Sequence, residues 1–368
     1  MQIRAAVLEE FGEPLVVQDV ELAGPEAGEV LVRLVACGVC HTDMYSASGV
    51  DPSGYAPCVL GHEGAGTVEA VGEGVTSVAV GDHVVTLFSP QCGECVNCRS
   101  GKTNICVAIR EQQGLGYLPD GTARLSRGGE ELRHFMGCST FAEATVVSEF
   151  SVAKVNPDAS LEAACLFACG LSTGLGAAMY RAKVTPGSTV VVFGLGMVGL
   201  GAVVGARLQG AERIIGIDLS QERLDIAARH GATDGWLAGP DTVARVLEET
   251  DGYGADFTFE ATGNVAVMAQ AVEAARMGWG VATMTGVAGK GETLDIVPRA
   301  LITGRTVLGA SFGGVKGREQ VPQLVERYLA GDIDVDSFIS HRLTLDDVNR
   351  GFDLMHDQDG IRSVIQFS

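Results

Sequence analysis

The first half of the chain alternates short apolar runs with glycine and proline. The runs are rich in β-branched residues, and three of them are residues 29–35, 66–71 and 83–87. Runs of this length and composition, bounded by turn residues, predict β-strands rather than helices. Up to about residue 150, the pattern therefore predicts an irregular, β-rich lobe with many tight turns.

The second half has a different periodicity. Short apolar runs now alternate with helical stretches, and these runs are residues 189–193, 213–218, 255–260 and 280–285. Strands that alternate with helices predict parallel β-α-β units and a doubly wound sheet. The alternation ends near Gly313, and the remaining pattern predicts helices at 318–330 and 345–355 and a final strand at 363–367.

Composition narrows the class of protein. The chain has 368 residues, 46% of them hydrophobic, which is enough for two domains. No apolar run is long enough to span a membrane, and the N-terminus lacks the charged-then-apolar order of a secretion signal. We therefore expect a cytoplasmic protein. Ten cysteines then indicate metal ligands and buried thiols rather than disulfides. The net charge of −20 argues against nucleic-acid binding, which needs a basic surface.

Four cysteines stand close together in the β-rich half, with the spacing C-x2-C-x2-C-x7-C. They are Cys92, Cys95, Cys98 and Cys106. Thiolates at this spacing can all reach one tetrahedral Zn²⁺, and four protein ligands leave no open position for chemistry. We predict a structural zinc lobe over about residues 90–108. An iron–sulfur centre, disulfides and idle thiols are the alternatives.

A glycine-rich turn follows the first strand of the alternating half. Gly194, Gly196 and Gly199 form G-x-G-x-x-G between a β-branched run and a helical stretch. The first glycine permits the turn, the second lets the backbone approach a pyrophosphate, and the third allows close helix packing. Asp218, at the end of the next strand, would bind an adenosine ribose and repel a 2′-phosphate. We predict NAD as the cofactor; the alternative is a glycine turn with a helix-capping Asp.

A second set of metal-ligand types is scattered along the chain. Cys40, His62 and Cys169 each stand beside small residues, and the third comes just before the dinucleotide unit. Two thiolates and one imidazole would leave the fourth tetrahedral position for water or a substrate oxygen, as in a catalytic zinc site. Taken singly, each residue is more often structural, and spacing alone does not assemble them.

The motifs together resemble the zinc-dependent medium-chain alcohol dehydrogenases over essentially the whole chain. They are G-V-C-H-T-D at 38–43, G-H-E-G-A-G at 61–66, the four-cysteine lobe, A-C-G-L-S-T-G at 168–174 and G-L-G-x-V-G at 194–199. Within the family they are most similar to the glutathione-dependent formaldehyde dehydrogenases (class III), as in P-Q-C-G-E-C at 90–95 and L-P-D-G-T at 118–122.

The resemblance implies an α/β protein of two domains. A GroES-like, β-rich catalytic domain with the structural zinc lobe would comprise residues 1–173 and 313–368. A Rossmann NAD-binding domain with a doubly wound parallel sheet would comprise residues 174–312. Each chain would hold two zinc ions, one catalytic and one structural.

The resemblance also implies roles around the catalytic zinc. Its ligands would be Cys40, His62 and Cys169, with Glu63 close enough to exchange onto the metal in some states. Asp43 would orient His62 and raise its basicity. Thr42 would hydrogen-bond the alcohol oxygen and pass its proton along the cofactor ribose. Tyr45 stands where some relatives carry a His that continues this relay, so either Tyr45 or water completes it.

Four further positions match family contacts with NAD. His41 and Arg362 match residues at the pyrophosphate, Arg223 matches one near the adenosine ribose, and Thr173 matches one at the nicotinamide end.

Four positions bear on the substrate. Arg110 and Asp51 match residues by which class III enzymes hold hydroxymethylglutathione, and the fork of Arg110 suits a carboxylate. Ser53 replaces a Glu expected near the glutathione amine. Phe88 replaces the usual Tyr beside the zinc and makes the pocket more apolar, as in relatives that oxidise aliphatic or benzylic alcohols.

These observations predict an NAD-dependent zinc alcohol dehydrogenase that interconverts a primary aliphatic, allylic or benzylic alcohol and its aldehyde. The first alternative is an S-(hydroxymethyl)glutathione dehydrogenase, or one for another hydroxymethyl-thiol, in formaldehyde detoxification. The second is an NAD(P)-binding protein without turnover, against which the intact zinc ligands argue. We expect small-molecule partners and a homodimer, in which residues 305–310 pair across a two-fold axis at the sheet edge.

Overall fold

The computed structural model describes residues 1–50 and 54–367 and divides into two compact units. The first unit comprises residues 1–169 and 316–368, and the second comprises residues 170–315. Within the described residues, no single helix is long and apolar enough to cross a membrane. One bent pair, Leu161–Ala168 with Gly170–Ala182, meets the length and composition criteria only when its two helices are taken together.

The regular elements follow one another as short strands and helices. The strands are β1 (Gln2–Leu8), β2 (Val16–Leu22), β3 (Glu29–Gly38), β4 (Cys58–Val59), β5 (Glu63–Val71), β6 (His83–Thr86), β7 (Leu125–Arg127), β8 (Glu130–His134), β9 (Ala144–Ser148), β10 (Val152–Lys154), β11 (Thr189–Phe193), β12 (Arg213–Asp218), β13 (Asp234–Leu237), β14 (Phe257–Glu260), β15 (Val281–Met284), β16 (Thr306–Gly309), β17 (Ile339–Leu343) and β18 (Arg362–Gln366).

Most of the described α-helices are short, and the longest, near the C-terminus, has 13 residues. The α-helices of the chain are α1 (His41–Ala47), α2 (Val96–Arg99), α3 (Val107–Gln113), α4 (Leu161–Ala164), α5 (Gly170–Gly176), α6 (Met197–Leu208), α7 (Gln221–His230), α8 (Thr242–Glu248), α9 (Val265–Ala274), α10 (Pro298–Ile302), α11 (Gly317–Leu329) and α12 (Val348–His356).

The first unit is built from two sheets. Five strands close into a barrel in the order β1-β2-β7-β8-β4, and seven form a second sheet in which β3 pairs with β5, β9 and β18. The barrel core consists of small and branched apolar side chains, including Ile3, Val20 and Leu132. Because β18 pairs antiparallel with the end of β3, the C-terminal strand lies beside residues 36–38, just before α1.

The second unit has a six-stranded sheet in the order β13-β12-β11-β14-β15-β16. All neighbouring strands are parallel. Its central strands are mostly apolar and buried, as Val191, Ile215 and Phe259 illustrate, because a parallel sheet is covered on both faces. The order is that of a Rossmann fold, in which ligands bind at the carboxyl ends of the central strands.

The predicted elements agree closely with the structure. The strands predicted at 189–193 and 213–218 are β11 and β12 at the same bounds, and the predicted C-terminal strand begins one residue earlier, as β18. The helix predicted from residue 345 instead begins with a 3-10 turn, Leu345–Asp347, because Thr344 and Asp347 cap each other's backbone there. The predicted α/β class, with a β-rich unit and a doubly wound unit, is confirmed.

Candidate active site and structural metal centre

The four cysteines of the predicted zinc lobe converge on one point. Their Sγ atoms all lie within 4.8 Å of one another, and the pairs Cys92–Cys98 and Cys95–Cys106 are each separated by 3.9 Å. A tetrahedron with Zn–S bonds of about 2.3 Å has edges of about 3.8 Å. Local turns produce this geometry, because Cys95 caps α2, which carries Cys98, and Cys106 directly precedes α3. The donor set fits zinc.

The four thiols of the lobe have different surroundings. The backbone amides of Cys98 and Val107 lower the pKa of the Cys95 thiol to about 5. The Cys92 sulfur accepts from the amides of Glu94 and Cys95 at 3.4 and 3.3 Å. Burial, in contrast, raises the pKa of Cys98 to about 12. A bound metal ion is what allows all four thiols to be ionised together.

A second cluster brings together residues that are distant in sequence. One ligand atom from each of Cys40, His62, Glu63 and Cys169 lies within 4.8 Å of the others. The hydrogen bond between the two thiols lowers the pKa of Cys40 and raises that of Cys169. His62 Nε2 is buried and makes no hydrogen bond of good geometry to the described residues. Two thiols and one imidazole nitrogen, all converging, fit a zinc site with one open position.

The carboxylate of Asp43 connects the segments that carry this cluster. Asp43 is fully buried, and its Oδ2 accepts from the Cys40 amide at 3.0 Å. Its Oδ1 accepts from the Gly61 amide at 3.1 Å and lies 2.9 Å from His62 Nδ1. Burial by itself would lower the pKa of His62, but the charge and hydrogen bond of Asp43, together with those of Cys40, outweigh burial and raise that pKa. The bond to Nδ1 leaves Nε2 directed at the two thiols.

A buried ion pair lies against the same cluster. Glu63 Oε1 is 3.2 Å from Arg362 Nη2, and Arg362 Nη1 donates to the Val39 carbonyl at 2.6 Å. Burial raises the pKa of Glu63 to about 7, although the charge of Arg362 opposes this shift. A Cβ at Gly38 would stand 2.1 Å from Glu63 Oε2, so only glycine leaves room for this carboxylate. Arg362 thus contacts the metal cluster, and its predicted contact with NAD stays a prediction.

Two phenylalanines enclose His62. The ring of Phe88 meets the imidazole edge-on with centroids 5.7 Å apart, and Phe135 does the same at 5.8 Å. Phe88 was expected beside the zinc site. Phe135 was not expected, because an aromatic residue at the end of a strand gives no sequence signal for this contact. The imidazole therefore has an apolar wall on two sides.

The glycine-rich turn has the form that a dinucleotide requires. Gly194 has φ +85°, and a Cβ at Gly199 would stand 1.8 Å from the Gly194 carbonyl oxygen. A Cβ at Gly196, in contrast, would meet no atom within 4 Å, so the backbone there borders open space. Asp218 Oδ2 accepts from the Leu195 amide at 2.7 Å, which places an acidic group at the turn. These features fit NAD at the N-terminus of α6.

Helix α1 carries three of the predicted residues. Thr42 lies in its first turn, with Oγ1 at 3.7 Å from Cys40 Sγ. Tyr45 follows one turn later and is partly exposed, and His41 is exposed. Of this group, Thr42 is the residue that the structure brings next to the thiol–imidazole cluster.

The remaining predicted residues are more widely distributed. Arg110 is exposed on α3, Thr173 is buried in α5, and Arg223 lies partly buried in the first turn of α7. Asp51 and Ser53 lie outside the described residues.

Comparisons with known proteins agree with this geometry. Residues 26–157 match the family model "Alcohol dehydrogenase GroES-like domain", and residues 197–330 match "Zinc-binding dehydrogenase". An S-(hydroxymethyl)glutathione dehydrogenase of Escherichia coli O139:H28 is 52% identical over 371 residues and covers all of both chains. The enzyme of the same name from Synechocystis is 51% identical with the same coverage.

The chain belongs to the zinc-dependent medium-chain alcohol dehydrogenases. Within this family it is of the class III type, as the sequence motifs predicted. It is therefore an oxidoreductase with zinc and NAD as cofactors, and its two thiolate clusters fit the two metal ions.

Solved structures of related enzymes share the complete fold. Benzyl alcohol dehydrogenase from Acinetobacter calcoaceticus aligns with a TM-score of 0.94 and 32% identity over all of both chains. An alcohol dehydrogenase zinc-binding domain protein from Burkholderia ambifaria aligns with a TM-score of 0.95 and 33% identity over 100% of this chain and 99% of its own. The GroES-like and Rossmann assignments are thereby confirmed.

Replacing one cysteine in each cluster should separate folding from chemistry. We expect Cys95→Ser to lose one zinc ion and to lower Tm by about 10 °C, because a closed metal site contributes folding free energy. Cys169→Ser should lose the other zinc ion and turnover with little change in Tm. Metal analysis, thermal unfolding and steady-state rates measure these outcomes. Cys58→Ser, at a buried thiol outside both clusters, is the control. A Cys95 variant as stable as the parent after losing its zinc would contradict the assignment.

Two alanine substitutions in the glycine-rich turn should have different consequences, one for stability and one for NADH binding. Gly199→Ala should lower the free energy of unfolding by about 1–3 kcal/mol, because its Cβ would overlap the Gly194 carbonyl. Gly196→Ala should fold normally, since its Cβ meets open space, but should weaken NADH binding roughly tenfold by obstructing the pyrophosphate. Thermal unfolding and fluorescence titration with NADH give the two readouts. Unimpaired NADH binding by Gly196→Ala would refute the placement of the cofactor.

Proposed function

We propose that the protein oxidises the hydroxymethyl adduct of a low-molecular-weight thiol, S-(hydroxymethyl)glutathione or a close analogue, with NAD as the hydride acceptor. The full-length identity of 52% to S-(hydroxymethyl)glutathione dehydrogenases is the observation that carries this proposal. The sequence motifs led us to predict ordinary primary alcohols as substrates, whereas these relatives favour the first alternative, an S-(hydroxymethyl)glutathione dehydrogenase. Arg110 supports the same substrate, because it places an exposed cation on a helix that is held close to the His62 pocket.

The chain's own residues orient the substrate and move its proton. When bound, zinc polarises the substrate oxygen and NAD accepts the hydride. Cys40, His62 and Cys169 hold the metal, and Asp43 fixes the imidazole so that Nε2 is available as a ligand. Glu63 is a further ligand for some states.

Other residues of the chain transfer the proton and bind the cofactor. The hydroxyl of Thr42 would accept a hydrogen bond from the substrate hydroxyl and, as it takes that proton, pass its own proton to the cofactor ribose, from which Tyr45 or water would continue the relay. Gly194, Gly196 and Gly199 form the pyrophosphate turn. The remaining cofactor contacts that we propose are Asp218, His41, Thr173, Arg223 and Arg362.

The two ends of the adduct have different requirements. Its hydroxymethyl group is small and would lie beside Phe88, the partly exposed ring at His62, whereas Phe135 is buried. Its peptide portion carries carboxylates, for which Arg110 offers a bidentate partner. Asp51, as the resemblance suggests, would be a further contact.

Oxidation of aliphatic or benzylic alcohols is the second candidate function. The observation in its favour is the apolar wall at His62, together with the fold shared with benzyl alcohol dehydrogenase. An apolar wall stabilises an uncharged substrate by burying its hydrocarbon surface, and this requires no cation. The two functions therefore differ in their dependence on Arg110.

We also propose that the protein is a homodimer in the cytoplasm. Strand β16 lies at the edge of the six-stranded sheet, and within the described part of the chain its backbone pairs with β15 alone. Exposed apolar residues precede it, including Val297 at 71% and Ile302 at 84% exposure. An exposed edge with neighbouring apolar side chains favours pairing with a second copy.

Substitution of Arg110 should distinguish the two substrates. We expect Arg110→Ala to raise KM for S-(hydroxymethyl)glutathione about 10- to 150-fold, because a charge-assisted contact contributes ~1.5–3 kcal/mol. Rates with octanol and benzyl alcohol should remain unchanged. Arg99→Ala, at another exposed arginine, is the matched control. Equal kinetics of Arg110→Ala and parent with the adduct, or formaldehyde oxidation that is indifferent to thiol, would refute the proposed substrate.

The oligomeric state can be tested at the sheet edge. The parent should have twice the mass of one chain by light scattering at micromolar concentration. Ile302→Asp should shift it toward monomer, because a charge would be buried in the proposed interface. Val80→Asp, at a position 65% exposed in the first unit, should leave the mass unchanged. A monomeric or tetrameric parent would show the dimer proposal to be incorrect.

A further inference from the structure

Gln113 occupies an unusual position at the C-terminal end of α3. Its side chain is buried, and its Nε2 donates to the Phe88 carbonyl at 2.7 Å and to the Met136 carbonyl at 2.5 Å. These carbonyls belong to two separate segments, one after β6 and one after β8. A single amide group therefore connects three segments of the first unit.

Both carbonyls lie in the wall around His62. Phe88 is one of the two rings that meet the imidazole edge-on, and Met136 directly follows the other, Phe135. Met136 has φ +52°, a left-handed conformation that is unfavourable for a residue with a side chain. The bond from Gln113 helps to hold this conformation, and with it the backbone that presents Phe135.

The helix that carries Gln113 is fixed at both ends. Its N-terminal neighbour is Cys106 of the four-cysteine lobe, and Ile109 packs with that cysteine in a small buried cluster. At the other end, besides the bonds of Gln113, the Tyr55 hydroxyl donates to the Gln113 carbonyl at 3.3 Å. Between the two ends lies Arg110, exposed to solvent.

We infer that Gln113 is a positioning residue that fixes the apolar wall of the zinc pocket relative to the helix that carries Arg110. The part of this inference that concerns Arg110 rests on the proposed function, whereas the part that concerns the wall does not. Without the amide, two partly buried carbonyls lose this donor, and the segments carrying the two rings are free to move away from α3. Substrates that touch Phe88 or Arg110 then bind less well, whereas the binding of very small substrates is unaffected.

The test compares Gln113→Met with Gln112→Met. Methionine matches glutamine in length but has no donor, and Gln112 is the adjacent, more exposed residue of the same helix. KM and kcat are measured for S-(hydroxymethyl)glutathione, octanol and ethanol, together with KM for NAD and zinc content. We expect Gln113→Met to raise KM for the adduct and for octanol roughly tenfold. KM for NAD, the kinetics with ethanol and the two zinc ions should remain as in the parent.

A double-mutant cycle separates the two parts of the inference. If Gln113 positions Arg110, Gln113→Met should raise KM for the adduct much less in an Arg110→Ala background than alone. If the proposed substrate is wrong, Arg110→Ala changes nothing, yet Gln113→Met still raises KM for octanol. Should Gln113→Met fail to fold, Gln113→Asn serves instead, because its shorter side chain keeps the amide but cannot reach both carbonyls.

Two results would overturn the inference. One is a KM for octanol within twofold of the parent in a folded variant that lacks the amide contacts. The other is an equal fall in kcat for all three substrates with KM unchanged, which would mean that Gln113 supports only the general stability of the fold.

Discussion

The buried carboxylate of Asp43 is the interaction on which the active site depends. It accepts hydrogen bonds from the amides of Cys40 and Gly61 and from the imidazole of His62, so it joins the start of α1 to the residues before β5. A buried carboxylate is costly unless its oxygens are satisfied, and here three donors do so. Asp43 therefore fixes the tautomer and the orientation of the His62 ring. In this orientation Nε2 is directed toward the two thiols.

The four-cysteine lobe is connected through a helix to the backbone near His62. Cys106 ends the four-cysteine lobe and is directly followed by α3, whose far end contacts the backbone at Phe88 and Met136. A closed zinc site would hold the N-terminal end of this helix, and the hydrogen bonds of Gln113 hold its C-terminal end. The lobe thus has a structural consequence beyond its own fold, because it fixes one end of the helix that presents Arg110.

The pocket combines two features that the sequence alone set against each other. In the proposed site, the ring of Phe88 would favour hydrocarbon next to the metal, and Arg110 would favour a carboxylate further away. A hydroxymethyl-thiol adduct satisfies both, because its reacting carbon is small and uncharged and its carboxylates lie several bonds away. An ordinary alcohol satisfies only the first. The distribution of polarity along the substrate, rather than the polarity of any one residue, therefore decides between the two functions.

The sequence determined those features that arise within a few residues of one another. The strand before Gly194, the acid at Asp218 and the four-cysteine spacing each depend on local turns and hydrogen bonds, so their patterns predicted them directly. Only the tertiary structure brought Cys40, His62 and Cys169 together, placed Phe135 against His62 and paired Arg362 with Glu63. The bond from Arg362 to Val39 spans 323 positions and exists because β18 pairs with β3. Such contacts depend on which strands pair, and strand pairing depends on burial of the whole sheet rather than on any local pattern.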